Sequence, residues 1–175
     1  RSLRKRTRKF VVAATVAANA QPHNMTDKSR ADDPSSWQSL RPDMKPLDTT
    51  ISKTLVITAS PAHTASAVGN TGVEVVSTPA LILFLEDAAE QAIRHCYDPG
   101  EASVGTIVNI RHLAAVPAGA TIAADARVTA VEGRRVSFDV EVRHGEKVVM
   151  TGKHERHVVE LARFLAKQGL GGNEP

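Results

Sequence analysis

Rings, thiols and long apolar stretches are all scarce in this chain. Aromatic residues make up 3% of its 175 residues, which leaves few faces on which nucleic-acid bases could stack. A single cysteine, Cys96, excludes an internal disulfide and a zinc site built on several thiolates. The longest apolar run, Phe10 to Ala18 with Thr15 inside it, falls short of the about 20 residues that cross a bilayer. Catalytic signatures are also missing. There is no Gly-x-Ser-x-Gly elbow of a serine hydrolase, and no phosphate loop or dinucleotide fingerprint. His154-Glu155-Arg156-His157 is one residue short of a zinc-protease motif. On a strand its two histidines face opposite sides, so no metal site is expected there.

What is present is an ordinary soluble composition, 42% hydrophobic and 23% charged, which excludes a disordered chain or a fibre. The net charge of +3 is misleading. Arg1, Arg4, Lys5, Arg6, Arg8 and Lys9 stand in residues 1–24 without one acidic residue, so the remainder of the chain sums to −3. The basicity belongs to the tail, and the folded part gives no reason to expect nucleic acid. Residues 1–24 combine that basic start with a short apolar run and the small-residue site Ala18-Asn19-Ala20. This suits a secretory signal or an Arg-rich mitochondrial presequence; translation from Met25 is the plainer reading. A cytoplasmic location is expected, or the mitochondrial matrix if residues 1–24 are a presequence. Residues 25–50, with Pro34, Pro42 and Pro46, read as a flexible lead-in.

From about Ile51 the pattern changes, and residues 51–168 read as one domain before a tail at 169–175. Thr54–Thr58 reads as a strand. Residues 59–77 are loop-rich, with a possible short strand at 73–76. Thr78-Pro79 fits an N-cap followed by proline at the first helical position. The helix then runs from Ala80 to Cys96, and its first part, Ala80 to Leu85, is apolar on every side, the mark of a buried helix. Strands follow at 103–116, 121–131, 135–143 and 147–159, the third with clean period-two alternation, then a short helix from 160 to 167. Tight turns make the neighbours antiparallel. A long antiparallel sheet buries its apolar face by curling around the one helix. The expected fold is therefore α+β, a hot-dog architecture.

Three residues stand out chemically. Glu86 lies within the apolar helix, where a carboxylate is costly unless paired or functional; burial there raises a carboxylate's pKa, which suits a general base. His112 shares strand parity with Val108 and Ile110 and so points to the apolar side. Taken alone, His112 reads as a satisfied core histidine and Thr78 as a cap. Cys96 reads as a small apolar residue at a helix end.

Several stretches in one order resemble the fluoroacetyl-CoA thioesterase-type hot-dog family. They are Ser77-Thr78-Pro79 through Leu85-Glu86, Pro99-Gly100-Glu101-Ala102-Ser103-Val104-Gly105-Thr106, and Arg111-His112-Leu113-Ala114-Ala115-Val116-Pro117-Ala118-Gly119. Val131-Glu132-Gly133-Arg134-Arg135 and Gly152-Lys153-His154-Glu155-Arg156 extend the match to about residues 52–165. The resemblance implies hydrolysis of acyl-CoA thioesters by a homodimer with its sites between subunits. No cofactor is implied beyond the CoA of the substrate. The family's catalytic threonine, glutamate and histidine fall on Thr78, Glu86 and His112, and a substrate-positioning glycine on Gly105. Arg111, Arg134, Arg135 and Arg156 are candidates for the CoA phosphates. The fluoroacetyl-selective members carry aromatic residues in the loop before the helix. Here that loop, Val68-Gly69-Asn70-Thr71-Gly72-Val73, has none, which points to another acyl group.

One geometric difficulty follows. On a straight helix Thr78 and Glu86 lie roughly 12 Å apart along the axis and cannot touch. Either the chain carrying Thr78 folds back or the site combines two subunits. Two other functions suit the architecture: a non-catalytic acyl-CoA-binding or sensing protein, and an acyl-CoA hydratase, whose usual aspartate–histidine motif is not seen.

Overall fold

The structure is a computed structural model, and residues 47–170 are described. Residues 1–24, most of the lead-in at 25–50, and residues 171–175 of the C-terminal tail lie outside the described residues.

Five strands and two helices make up the domain: β1 (Ser52–Thr58), α1 (Thr78–Ile93), β2 (Glu101–His112), β3 (Thr121–Glu132), β4 (Arg135–His144), β5 (Lys147–Glu160) and α2 (Leu161–Lys167). The strands form one antiparallel sheet in the order β1-β3-β4-β5-β2. The α+β hot-dog expectation holds. Val136, Phe138, Val140 and Val142 of β4 and Ile122, Ala124, Ala126 and Val128 of β3 pack with Leu81, Phe84, Leu85, Ala88 and Ile93 of α1 in one core. The core forms because every second residue of a strand faces α1 while the helix offers a matching apolar face.

Three expectations need correcting. The strand placed at 103–116 ends at His112. Beyond it the chain leaves the strand, with Leu113 N–H donating to Val149 O (2.7 Å) and Val116 O accepting from Val76 N–H (2.7 Å). The N-cap of α1 is Ser77, whose hydroxyl accepts from Ala80 N–H at 3.3 Å, with Thr78 already helical and Pro79 in the first turn. Nor is the first part of α1 buried all round. The sheet covers one side only, and Pro79, Leu83 and Asp87, four residues apart, remain exposed as a stripe, Leu83 at 57%.

Two glycines mark close approaches. A Cβ on Gly152 would fall 2.1 Å from Asn109 O, so β5 can lie against β2 there only without a side chain. A Cβ on Gly105 would meet the Glu86 carboxylate at 3.0 Å. Register slips between Gly105 and Ile107, leaving Thr106 as an extra residue. That bulge matters for function. Gly105 and His112 are seven positions apart, and an odd spacing on a regular strand sends side chains to opposite faces. The extra residue restores a common face, so both positions look toward α1.

Candidate active site

Moving the cap to Ser77 removes the structural explanation for Thr78. Its hydroxyl is free of backbone duty and lies 2.8 Å from His112 Nδ1. The other ring nitrogen, Nε2, is 2.9 Å from Ala114 O. A carbonyl can only accept, so Nε2 carries the proton and Nδ1 presents its lone pair to the threonine O–H. This is the arrangement of a hydroxyl nucleophile, a base that takes its proton, and a third group that orients the base. The turn that ends β2 supplies that third group two residues after His112.

Two helical turns further on is a second cluster. Glu86 is 37% exposed and so is not the fully buried carboxylate expected from the apolar helix. Its carboxylate rests against the Gly105 backbone and faces Arg156 Nη1 at 3.5 Å. Ile82, Leu85, Val108, Ile110 and Val140 line a small apolar crevice beside it. Thr78 and Glu86 share no contact in one chain, as the helix rise requires. The fold brings Thr78 to His112 and Glu86 to Gly105, two separate clusters between α1 and β2.

The four arginines separate. Arg156 is 6% exposed, so the expectation of a surface group reaching for CoA phosphates gives way to a buried partner of Glu86. Arg134 is committed to Glu101 and to Val158 O. Arg135 is exposed at the β3–β4 turn and pairs with Glu132. Arg111 is exposed on β2, beside His112 in sequence but with its side chain on the opposite face.

Sequence reasoning missed three residues. Tyr97 O–H donates to Ser103 Oγ (2.6 Å), and Arg156 Nε donates to the same oxygen (2.8 Å). Burial pushes the Tyr97 phenol up, so it stays protonated as a donor. His154 is 2% exposed, and burial pushes its pKa down. The available signal was parity: Ser103 stands two before Gly105, and His154 two before Arg156. His154 and His157 do face opposite sides, the first buried and the second exposed.

A larger hollow, about 620 Å³, opens on the far face of the sheet and is lined by Asp125, Arg127, Asp139 and Lys153 among others. Asp139 pairs there with both Arg127 and Lys153, and none of the candidate residues reaches it. Among the described residues no cluster of metal-ligating side chains occurs, and no helix is long and apolar enough to cross a membrane.

Comparison with known proteins gives a consistent result. The fluoroacetyl-CoA-specific thioesterase family, FlK, matches residues 59–162. The fluoroacetyl-CoA thioesterase of Streptantibioticus cattleyicolor is 38% identical over 94 residues, covering 54% of this chain and 68% of that protein. A solved structure of the fluoroacetyl-CoA thioesterase FlK aligns with a TM-score of 0.68 at 29% identity, over 75% of this chain and 100% of the other. A hot-dog-like protein from Thermanaerovibrio acidaminovorans aligns with a TM-score of 0.61 at 25% identity, over 75% and 95%.

Proposed function

The chain belongs to the fluoroacetyl-CoA-specific thioesterase family and is an acyl-CoA thioester hydrolase; from that premise we propose that Thr78, His112 and Glu86 carry the reaction at a site completed by two subunits. The observation that carries this reading is the 2.8 Å contact from Thr78 Oγ1 to a His112 whose other nitrogen is anchored on Ala114 O. Thr78 attacks the thioester carbon as His112 takes its proton. His112 then passes that proton to the departing CoA sulfur. The resulting threonine ester is cleaved by water, whose proton Glu86 accepts and returns through His112 to the departing Thr78 oxygen, releasing the carboxylic acid. The Thr78 N–H at the start of α1, or the Gly105 amide, stabilises the oxyanion.

The edge of the sheet argues for a second subunit. β2 is an edge strand with an unpaired outer side, a feature that soluble proteins cover or pair. It also exposes Ile107 (48%) and Val108 (42%). Antiparallel pairing of β2 with its twin about a twofold at Asn109, with Thr106 the extra residue in each copy, sets residue 105 opposite residue 112 on the same face. The partner's His112, with its threonine, then stands beside Glu86, which resolves the separation within one chain. The substrate is an acyl-CoA whose acyl group needs no aromatic lid, since residues 68–73 supply none.

Mixing two inactive variants tests both halves of this reading. Thr78→Ala and Glu86→Gln should each lower thiol release from a panel of acyl-CoAs at least about 10²-fold. Co-refolded at equal amounts, they should recover about a quarter of wild-type activity, because each mixed dimer keeps one complete site. Acyl-CoA should also leave an ester on Thr78 in Glu86→Gln, visible by mass spectrometry. A mixture as inactive as its parts places the site within one chain. Binding of the whole panel without turnover by the wild type makes the protein a sensor.

A further inference from the structure

Glu86 is steadied from outside its own helix. The cation facing it is Arg156 on β5, 6% exposed, whose Nη1 lies 3.4 Å from Glu86 O and 3.5 Å from Glu86 Oε2. A guanidinium removed from water needs a partner for its charge and acceptors for its N–H groups. Most of those acceptors lie on the side away from Glu86. Ser103 Oγ accepts from Nε at 2.8 Å and Ser103 O from Nη2 at 3.1 Å. His154 Nδ1 donates to Ile107 O at 2.8 Å, which leaves its Nε2 lone pair toward Arg156 Nη1 at 3.4 Å. Tyr97 O–H fills the other acceptor site of Ser103 Oγ at 2.6 Å. The serine oxygen thus receives two donors at once and has no rotational freedom left. The guanidinium is fixed at its back, and only its Nη1 edge remains to meet Glu86. On the opposite side the carboxylate abuts the Gly105 backbone.

We propose that Tyr97 and Ser103 are positioning residues for the hydrolysis: they aim Arg156, and Arg156 holds the Glu86 carboxylate in its reactive orientation. The proposal rests on the reading that Glu86 takes part in the chemistry. Neither residue touches the Thr78–His112 pair, so the first proton transfer is left alone. What depends on them is the step that uses the carboxylate. A misplacement of a few tenths of an ångström at a reacting group lowers the turnover rate more than the affinity.

The test is a set of folded variants of the full chain, assayed with the best acyl-CoA of the panel. Ser103→Ala should lower kcat about tenfold while KM stays within about twofold. Ser103→Thr, which keeps the hydroxyl, should restore most of that loss. Tyr97→Phe, which removes one oxygen and keeps the ring, should lower kcat by about threefold and serves if Ser103→Ala does not fold. The double variant Ser103→Ala with Glu86→Gln should be no slower than Glu86→Gln alone, since a residue that acts through Glu86 has nothing left to act on. Independent, multiplying losses overturn the relay. Wild-type kcat in folded Ser103→Ala and Tyr97→Phe also overturns it while leaving Glu86 in the mechanism, provided Glu86→Gln is inactive. Near-normal turnover of Glu86→Gln removes the reading underneath.

Discussion

β4 and β2 are strands of the same sheet with similar shares of valine and isoleucine, yet they treat those side chains differently. In β4, Val136, Phe138, Val140 and Val142 are between 0% and 2% exposed. In β2, Ile107 and Val108 are 48% and 42% exposed. Position explains the contrast. β4 is flanked by β3 and β5 and covered by α1, whereas β2 is an edge flanked by β5 alone. β4 pairs without interruption along most of its length, and β2 carries the bulge at Thr106. The regular strand builds the core, and the irregular one carries Gly105 and His112. In the proposed dimer the difference has one meaning: the exposed apolar surface of β2, beside Gly105 and His112, is the part that meets the second subunit.

The contrast can be broken from the β4 side first, where the effect on stability is largest. Phe138→Ala should cost about 3–5 kcal/mol of unfolding free energy, because a fully buried ring leaves a cavity that strands on both sides prevent from closing. Denaturant titration measures this. The kcat of the fraction that stays folded should fall far less than in Thr78→Ala, since Phe138 reaches the site only through the His154 ring that backs Arg156. A loss of turnover equal to that of Thr78→Ala would erase the separation between core strand and site strand.

From the β2 side, Val108→Asp should leave the fold in place and separate the subunits. A carboxylate on each side of the axis of a two-stranded interface would lose its water close to its twin and among apolar side chains. Light scattering should report the mass of one chain, and thiol release should fall at least about 10²-fold as the shared sites come apart. A fully active species of single-chain mass sinks the interface site and the edge-pairing argument together.

These two strands also show how much was readable beforehand. β4 was legible because each core position repeats at period two and both neighbours enforce it. β2 was legible as a strand, but its end was not. The residues after His112 are apolar, and only tertiary contacts with Val76 and Val149 show that they have left the sheet. Thr78, Glu86, Gly105 and His112 were reachable through the resemblance. Their grouping into two clusters was not, because it depends on a one-residue bulge that sequence spacing does not reveal. Thr78 was misread as a cap because Ser77 and Thr78 are both good capping residues, and a proline can sit at either of the first two helical positions. Arg156 was misread as a surface charge. An arginine in a strand is exposed by default, and the serine, tyrosine and histidine that satisfy it come from three places in the chain.

β5 lies between the two compared strands, and His154 on it joins them. Its ring stacks against Phe138 of β4 with centroids 6.0 Å apart, while its Nδ1–H reaches Ile107 O of β2. Burial holds its pKa below the ordinary histidine value of 6.5, and the charge of Arg156 adds to that. The bond to Ile107 O and the carboxylates of Glu86 and Glu155 pull the other way without overcoming burial. The sign follows from proton counting. In the unfolded chain His154 takes up a proton as pH falls through about 6.5, whereas in the folded chain it stays neutral to lower pH. The unfolded state therefore binds more protons across that interval, and stability falls as the solution is acidified. Exposed His157 is depressed in the same direction, by partial burial and by Arg134 and Arg135, and adds a smaller part. Stability should be at its plateau above about pH 6.5 and decline below it. His154→Gln, which cannot titrate, should start from a lower plateau and lose part of the slope. Urea midpoints measured at half-unit steps from pH 7.5 to 5 would show this. A wild-type midpoint that stays level or rises on acidification would mean that the histidine already carries its charge in the folded protein. The neutral contact with Arg156 would then be wrong.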